Sequence, residues 1–259
     1  MSANAASIRR ACKTWLGPVL LLLVFAALVG FPGLLRDLLS LLFPGRSNLL
    51  YPRAGIGRLV EEHLTMCLAS SLLALVVGLV CGVLATRSWA GSFTAIAETL
   101  AAGSQTLPPA AVLALCVPAL GFGLAPTIVA LFLYSLLPIL RNTMSGIQSV
   151  DPEIVEAASG MGMGQLAILF KVELPLAAPV ILAGLRTAVT VNVGTATIGA
   201  TIGAGGLGAP IIAGLVAQQP SYLAEGAIIV ALLALALDSI FAALQRGLPS
   251  ARAAMETRA

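Results

Sequence analysis

The chain has 259 residues, of which 59% are hydrophobic and only 10% charged, with a mean hydropathy of +1.01. Soluble domains carry roughly a quarter charged residues, so a water-soluble protein of this composition could not cover its own surface. The net charge of +3 rests on 14 basic and 11 acidic residues, an imbalance too small to argue for a nucleic-acid partner.

The apolar residues come in long blocks without an amphipathic rhythm, which predicts an all-α polytopic membrane protein in contact with lipid. Six spans are predicted. The first runs from Trp15 to Leu35, preceded by Arg9, Arg10 and Lys13. It is long for a cleaved signal peptide and no A-x-A site follows it, so a retained helix is expected. Residues 36 to 62 form a polar connection containing Pro44 and Pro52. The second span, Leu64 to Leu84, carries Gly78 and Gly82 in a spacing that lets another helix approach closely. The third, Ile96 to Leu120, holds Pro108, Pro109 and Pro118 and is expected to bend. Prolines free backbone carbonyls, which neighbouring helices or water must satisfy.

The fourth span runs from Pro126 to Leu140, and residues 142 to 178 are the longest polar stretch between spans. The fifth, Val180 to Ile202, is dense in Gly, Ala and Thr, with Gly199 and Gly203 again four apart. A glycine-rich break, Gly203 to Gly208, precedes the sixth span, Leu223 to Leu244. Three regions follow: an N-terminal helix and external connection (1–62), a transmembrane core (63–245) that includes the polar loop 142–178, and a tail (246–259). Basic residues near helix ends favour cytoplasmic termini by nine to four. The nine are Arg9, Arg10, Lys13, Arg87, Arg141, Lys171, Arg246, Arg252 and Arg258; the four are Arg36, Arg46, Arg53 and Arg58.

Residues 151 to 175 read DPEIVEAASGMGMGQLAILFKVELP. Asp151 suits a helix cap and Pro152 a first helical position. A short amphipathic helix is expected after them, interrupted by Gly160, Gly162 and Gly164, with an apolar second half ending at Pro175. The segment is too short and too broken to span a bilayer. Its physics allows either a plain interfacial loop or a small helix presented to a partner.

Glu156, Ala157, Ala158, Gly162, Val172, Leu174 and Pro175 stand at the spacings of the EAA loop, and the segment resembles that of ABC importer permeases. Val172 replaces the usual Ile. The resemblance implies the type I ABC importer permease fold, and in that family this loop docks on the ATP-binding subunit. Residues 132–147, 174–189 and 194–208 are similar to osmoprotectant-type permeases, which serve glycine betaine, choline, carnitine and related compounds. That resemblance covers roughly residues 55 to 245. It implies an inner-membrane subunit of a bacterial importer with three partners: a cassette ATPase, a separate solute-binding protein, and a second permease copy or related permease.

No G-x-x-x-x-G-K-[ST] phosphate loop is present. ATP and Mg are therefore expected to be used by the partner subunit, with no cofactor in this chain. One histidine, His63, and the four scattered cysteines, Cys12, Cys67, Cys81 and Cys116, give no metal or catalytic constellation. Thr187, Thr190, Asn192, Thr195, Thr197 and Thr201 either line a solute path or tie helices together. Glu98, Arg186, Glu225 and Asp238 fall near predicted span ends and read as interface residues. An ABC permease for another small solute, such as an amino acid, is the first alternative. An intramembrane enzyme or stand-alone channel is the second.

Overall fold

The computed structural model describes residues 2–87 and 89–248, with side chains from Thr14 onward except Ser92 and Ser104. Arg252 and Arg258 lie outside the described residues, as do the side chains of Arg9, Arg10, Cys12 and Lys13. Every described element is helical. Four helices are long and apolar enough to cross a membrane: α3 (Ile56–Ala85), α6 (Leu124–Gln148), the continuous run Gln165–Ile202 and α11 (Pro220–Gly247). The expected polytopic all-α architecture is thus the observed one.

The first predicted span is cut short. α1 (Ser2–Gly30) ends before Pro32, and α2 (Pro32–Leu42) leaves it at 92°. A residue before proline is pushed out of the helical region, and Phe31 obeys at φ −122°, ψ 79°. Residues 36–42 are therefore helical where a polar connection was expected. Leu35 and Leu39 of α2 are fully buried in the main apolar cluster, with Leu59, Met66, Leu207 and Ile229.

α3 begins at Ile56, eight residues before the expected edge, so the boundary drawn after residue 62 falls inside a helix. Its first turns bury Ile56, Leu59 and Val60 in the core, and Arg58 and Glu62, paired at 2.9 Å one turn apart, add a small contribution to the helix. The third predicted span is fully broken into α4 (Gly91–Thr106) and α5 (Pro109–Leu120). Pro108 holds Leu107 extended, at ψ 138°. The carbonyl this exposes is satisfied as membrane burial requires, because the Tyr134 hydroxyl of α6 donates to Leu107 O. Gln105 Nε2 in turn donates to Tyr134 O at 2.9 Å.

α6 continues past its predicted end to Gln148. Arg141, Asn142 and Thr143 are therefore helical, not the start of a loop. Asn142 and Thr143 bond back to the carbonyls of Pro138 and Ile139, at 2.8 Å each. The gap between α6 and the next long helix contains α7 (Pro152–Gly160). The long run then comprises α8 (Gln165–Ile168), a π turn (Leu169–Glu173), α9 (Leu174–Thr195) and a 3₁₀ turn (Ala196–Ile202). Pro175 does not end a helix as expected. The wider π turn re-pairs the ladder ahead of it, with Leu174 N–H bonded to Leu169 O. α10 (Gly208–Val216) and α11 are the last elements among the described residues.

Glycine sets the spacing of α3, α6 and α9. A β-carbon on Gly82 would lie 2.6 Å from Thr143 Cβ, and one on Gly78 2.8 Å from Ile139 Cγ2. The Gly78/Gly82 motif thus works as its spacing predicts. Of the other pair, Gly199 abuts Thr127, whereas Gly203 is a left-handed cap at φ +79°. Gly82→Leu should separate α3 from α6 and cost about 1–3 kcal/mol, the scale of overpacking. A thermal melt in detergent should show a lower midpoint; an unchanged one would mean that this contact carries no stability.

Candidate functional site

The segment 151–175 folds as its residues suggest. Asp151 caps α7, its Oδ1 accepting from Glu153 N–H at 2.9 Å, and Pro152 occupies the first turn. Gly162 makes the turn after α7 in the left-handed region, φ +82°. Glycine holds that conformation most readily, and asparagine is the side chain that tolerates it best. Apart from its two chain neighbours, no described residue lies within 4 Å of where its β-carbon would be. Among the motif residues, Ala158 is buried at 3%, while Glu156, Ala157, Gly162 and Pro175 are exposed. Val172 and Leu174 are half-buried. Ile154, Met161, Leu166 and Phe170 are large, apolar and exposed. The seven residues are thus parts of one helix–turn–helix, of which a small apolar face is uncovered.

Glu173, two residues before Pro175, ties this segment to the end of α3. Its carboxylate accepts from Arg87 Nη2 at 2.8 Å, with both groups largely buried. Such a pair is costly to break from one side, because it leaves a lone charge out of water. Sequence reasoning assigned Arg87 only to topology and gave Glu173 no role.

The polar residues of α9 divide. Asn192 is fully buried and its Nδ2 donates to Ser70 Oγ at 3.0 Å and Ser71 Oγ at 2.9 Å, joining α9 to α3. Thr187, Thr197 and Thr201 each bond to a carbonyl of their own run: Ala183, Gly194 and Ile198. Thr190 and Thr195 are half-buried. Thr190 lines an open cavity of about 330 Å³ with Ala183, Arg186, Thr187, Val191 and Asp238.

Two ionisable residues prove not to be simple interface residues at helix ends. Arg186 lies mid-α9 and Asp238 well inside α11, and they form a two-pronged pair: Nε to Oδ1 at 2.6 Å and Nη2 to Oδ2 at 2.7 Å. A signal was present, since an arginine in one apolar span and an aspartate in another each demand a partner. Glu225, also expected at an interface, is 2% exposed and accepts from Tyr51 N–H at 2.6 Å. Tyr51 and Tyr222 meet edge to face there, ring centres 6.1 Å apart. With Tyr222 at 9%, this carboxylate-and-tyrosine group is closed packing and not an open cation cage.

With this geometry in hand, residues 75–249 match the family of binding-protein-dependent transport system inner membrane components. The chain belongs to that family. The choline transport system permease protein OpuBB of Bacillus subtilis (strain 168) is 45% identical over 192 residues, 73% of this chain and 87% of that protein. The glycine betaine/carnitine/choline permease OpuCB of the same organism is 43% identical over 185 residues, 71% and 84% of the two chains. The osmoprotectant import permease OsmY of Salmonella typhimurium is 44% identical over 182 residues, 70% and 77% of the two chains. In fold, the chain is similar to the inward-facing MetNI methionine ABC transporter, with a TM-score of 0.65, 23% identity, and 74% and 95% of the two chains covered. The expected importer-permease fold is therefore the observed one.

The cap of α7 gives a local test. Asp151→Ala removes a helix cap worth about 1 kcal/mol. Amide exchange over residues 153–155 should accelerate about fivefold, while α9 is unaffected; equal rates would show that the cap does not hold the segment.

Proposed function

We propose that the chain is the translocating subunit of an ATP-driven importer for a quaternary-amine osmoprotectant such as glycine betaine, choline or carnitine. The observation that carries this reading is the segment 151–175, whose capped helix and glycine turn precede the long run Gln165–Ile202 and whose second half opens that run. Its apolar side chains Ile154, Met161, Leu166 and Phe170 are uncovered. A face of that kind suits a partner groove. The partner is a cassette ATPase, which uses ATP and Mg; this chain contributes Glu156, Ala157, Ala158, Gly162, Val172, Leu174 and Pro175 to the contact. One chain has one such segment, so two copies, or one copy and a related permease, serve the two ATPase subunits. The substrate class is supported by the names of the relatives, three of which transport choline, glycine betaine, carnitine or other osmoprotectants. A separate binding protein supplies tight recognition, and Thr190 and Thr195 belong to the region of the solute path, where Asn192 ties α9 to α3 and Thr197 bonds within its own run.

Closure of the ATPase pair on ATP would press on α7. The glycine turn joins α7 to α8, the π turn continues into α9, and Arg87–Glu173 links the junction to α3. Force at α7 therefore reaches two membrane helices without crossing a flexible linker. With both termini cytoplasmic, α7 faces the ATPase and the Arg46–Gln219 contact (2.9 Å) lies outside. A cysteine at Gln165 should then be labelled only from the cytoplasm and one at Arg46 only from outside. Labelling of Gln165 in intact cells would invert the topology.

Gly162 separates backbone from contact. Gly162→Asn tolerates the left-handed turn, so ATPase association should persist. Gly162→Trp adds both strain of about 1–3 kcal/mol and bulk on the docking face. It should insert normally but lose ATPase association and uptake. Full uptake by the Trp variant at equal expression would remove the segment from coupling.

A further inference from the structure

We propose that the open cavity bounded by Arg186, Asp238, Thr187 and Thr190 is a weak binding station for a zwitterionic quaternary amine crossing the membrane. The proposal rests on the importer reading above and adds a site to it. Its first support is depth. Asp238 stands eight residues before Arg246 on α11, about 12 Å along the axis. Arg186 stands twelve residues beyond Leu174 on α9, about 18 Å. In a hydrocarbon layer of about 30 Å, the pair sits well inside the membrane.

The second support is exposure at that depth. The Arg186 and Asp238 side chains keep 34% and 35% of their surface uncovered. Ionised groups facing lipid tails are expensive, and such residues face the bundle interior or a water-filled cavity. The surrounding surface agrees with water. Ala183, Arg186, Thr187, Thr190 and Val191 fall three to four residues apart on one face of α9, and two of the five carry hydroxyls. The cavity of about 330 Å³ exceeds the ~30 Å³ share of one water and falls at the lower end of small-ligand sites, roughly 300–1,000 Å³.

The third support is charge. The empty station is neutral overall, because Arg186 and Asp238 cancel. A betaine also carries one fixed cation and one carboxylate. It can place its carboxylate near the guanidinium and its quaternary nitrogen near Asp238 without leaving net charge in the membrane. Only Nε and Nη2 of Arg186 bond to Asp238, so Nη1 lies outside the pairing. A pure cation such as choline adds an uncompensated charge, so the station favours the zwitterion.

The competing role is a clamp between α9 and α11, and single substitutions cannot separate the two, because either leaves a lone charge. The double variant R186M/D238L removes both charges together. The full complex of permease, ATPase and binding protein is placed in proteoliposomes, and labelled glycine betaine uptake is read per ATP hydrolysed. The expected result is a fall of about tenfold, the scale of a lost charge-assisted hydrogen bond, with a smaller fall for choline. If R186M and D238L each fail but the double variant transports at the parental ratio, the pair is a clamp and the station does not exist. A second measurement does not depend on that variant. A cysteine is placed at Thr187 in a chain whose Cys12, Cys67, Cys81 and Cys116 are alanine. In the assembled complex it should react with a trimethylammonium-bearing thiosulfonate and be protected by betaine. No reaction would mean that lipid or the second permease covers this face, and reaction without protection would mean that solute does not rest there; either overturns the proposal. Absence of quaternary-amine uptake by the unsubstituted complex would instead defeat the importer reading itself.

Discussion

Gly78 and Gly82 of α3 press against Ile139 and Thr143 of α6, and Gly184 of α9 presses against Asn142 and Pro138 of the same helix, at separations that leave no room for a methyl group. Lipid tails are as apolar as leucine, so helices in a bilayer gain little by hiding apolar surface from one another. Association must come from close packing and interhelical polar contacts. The glycine contacts provide the first and fix α6 as the helix against which α3 and α9 are both set. α6 leads into α7, and α9 receives the chain back after it. The segment that offers an apolar face to a partner is thus held at both ends by the most tightly packed helices.

The second demand of the bilayer is that no backbone polar group be left bare. The chain breaks its helices often and repairs each break locally. Tyr134 covers the carbonyl freed by Pro108. His63 Nε2 lies 2.9 Å from Val193 O, just before the α-helix passes into the 3₁₀ turn. The Glu62 carboxylate accepts from Gly206 N–H at 2.9 Å in the glycine-rich turn that follows. A β-carbon at Gly205 would lie 2.3 Å from that carboxylate, so the glycines there admit a side chain from α3. These repairs place irregular backbone at the ends of membrane helices without an energetic penalty large enough to forbid it.

Much of this was legible in the residues. Asp151-Pro152 announced a helix start, Gly78 and Gly82 a close approach, and the proline pair a bend, which the structure turns into a full break between α4 and α5. Each is a local effect, set by one side chain or by the lack of one. The segment 151–175 was legible through its motif spacing and its mixture of glycine and exposed apolar residues. The errors lie where tertiary context decides. Burial of Ile56, Leu59 and Val60 at one end, and of Thr143, Met144 and Ile147 at the other, keeps polar turns helical, so α3 starts early and α6 ends late. The π turn absorbs Pro175, which sequence reasoning treated as a stop. Arg186 and Asp238 were read one at a time as residues near membrane surfaces, because their pairing depends on α9 and α11 lying side by side. Asn192 kept two readings open until Ser70 and Ser71 of α3 came within reach of it.

The central claim is that this chain provides a path and a coupling surface while other subunits provide affinity and energy. Its most direct test is accumulation of labelled glycine betaine in proteoliposomes that contain the permease, its ATPase and its binding protein, with ATP on the ATPase side. Accumulation above the external concentration should require all three components, and omission of any one should abolish it. Binding to the permease and ATPase alone should be much weaker than 1 μM, or about −8 kcal/mol. Concentrative uptake without ATP or without the binding protein, or micromolar binding to the permease itself, would contradict the account.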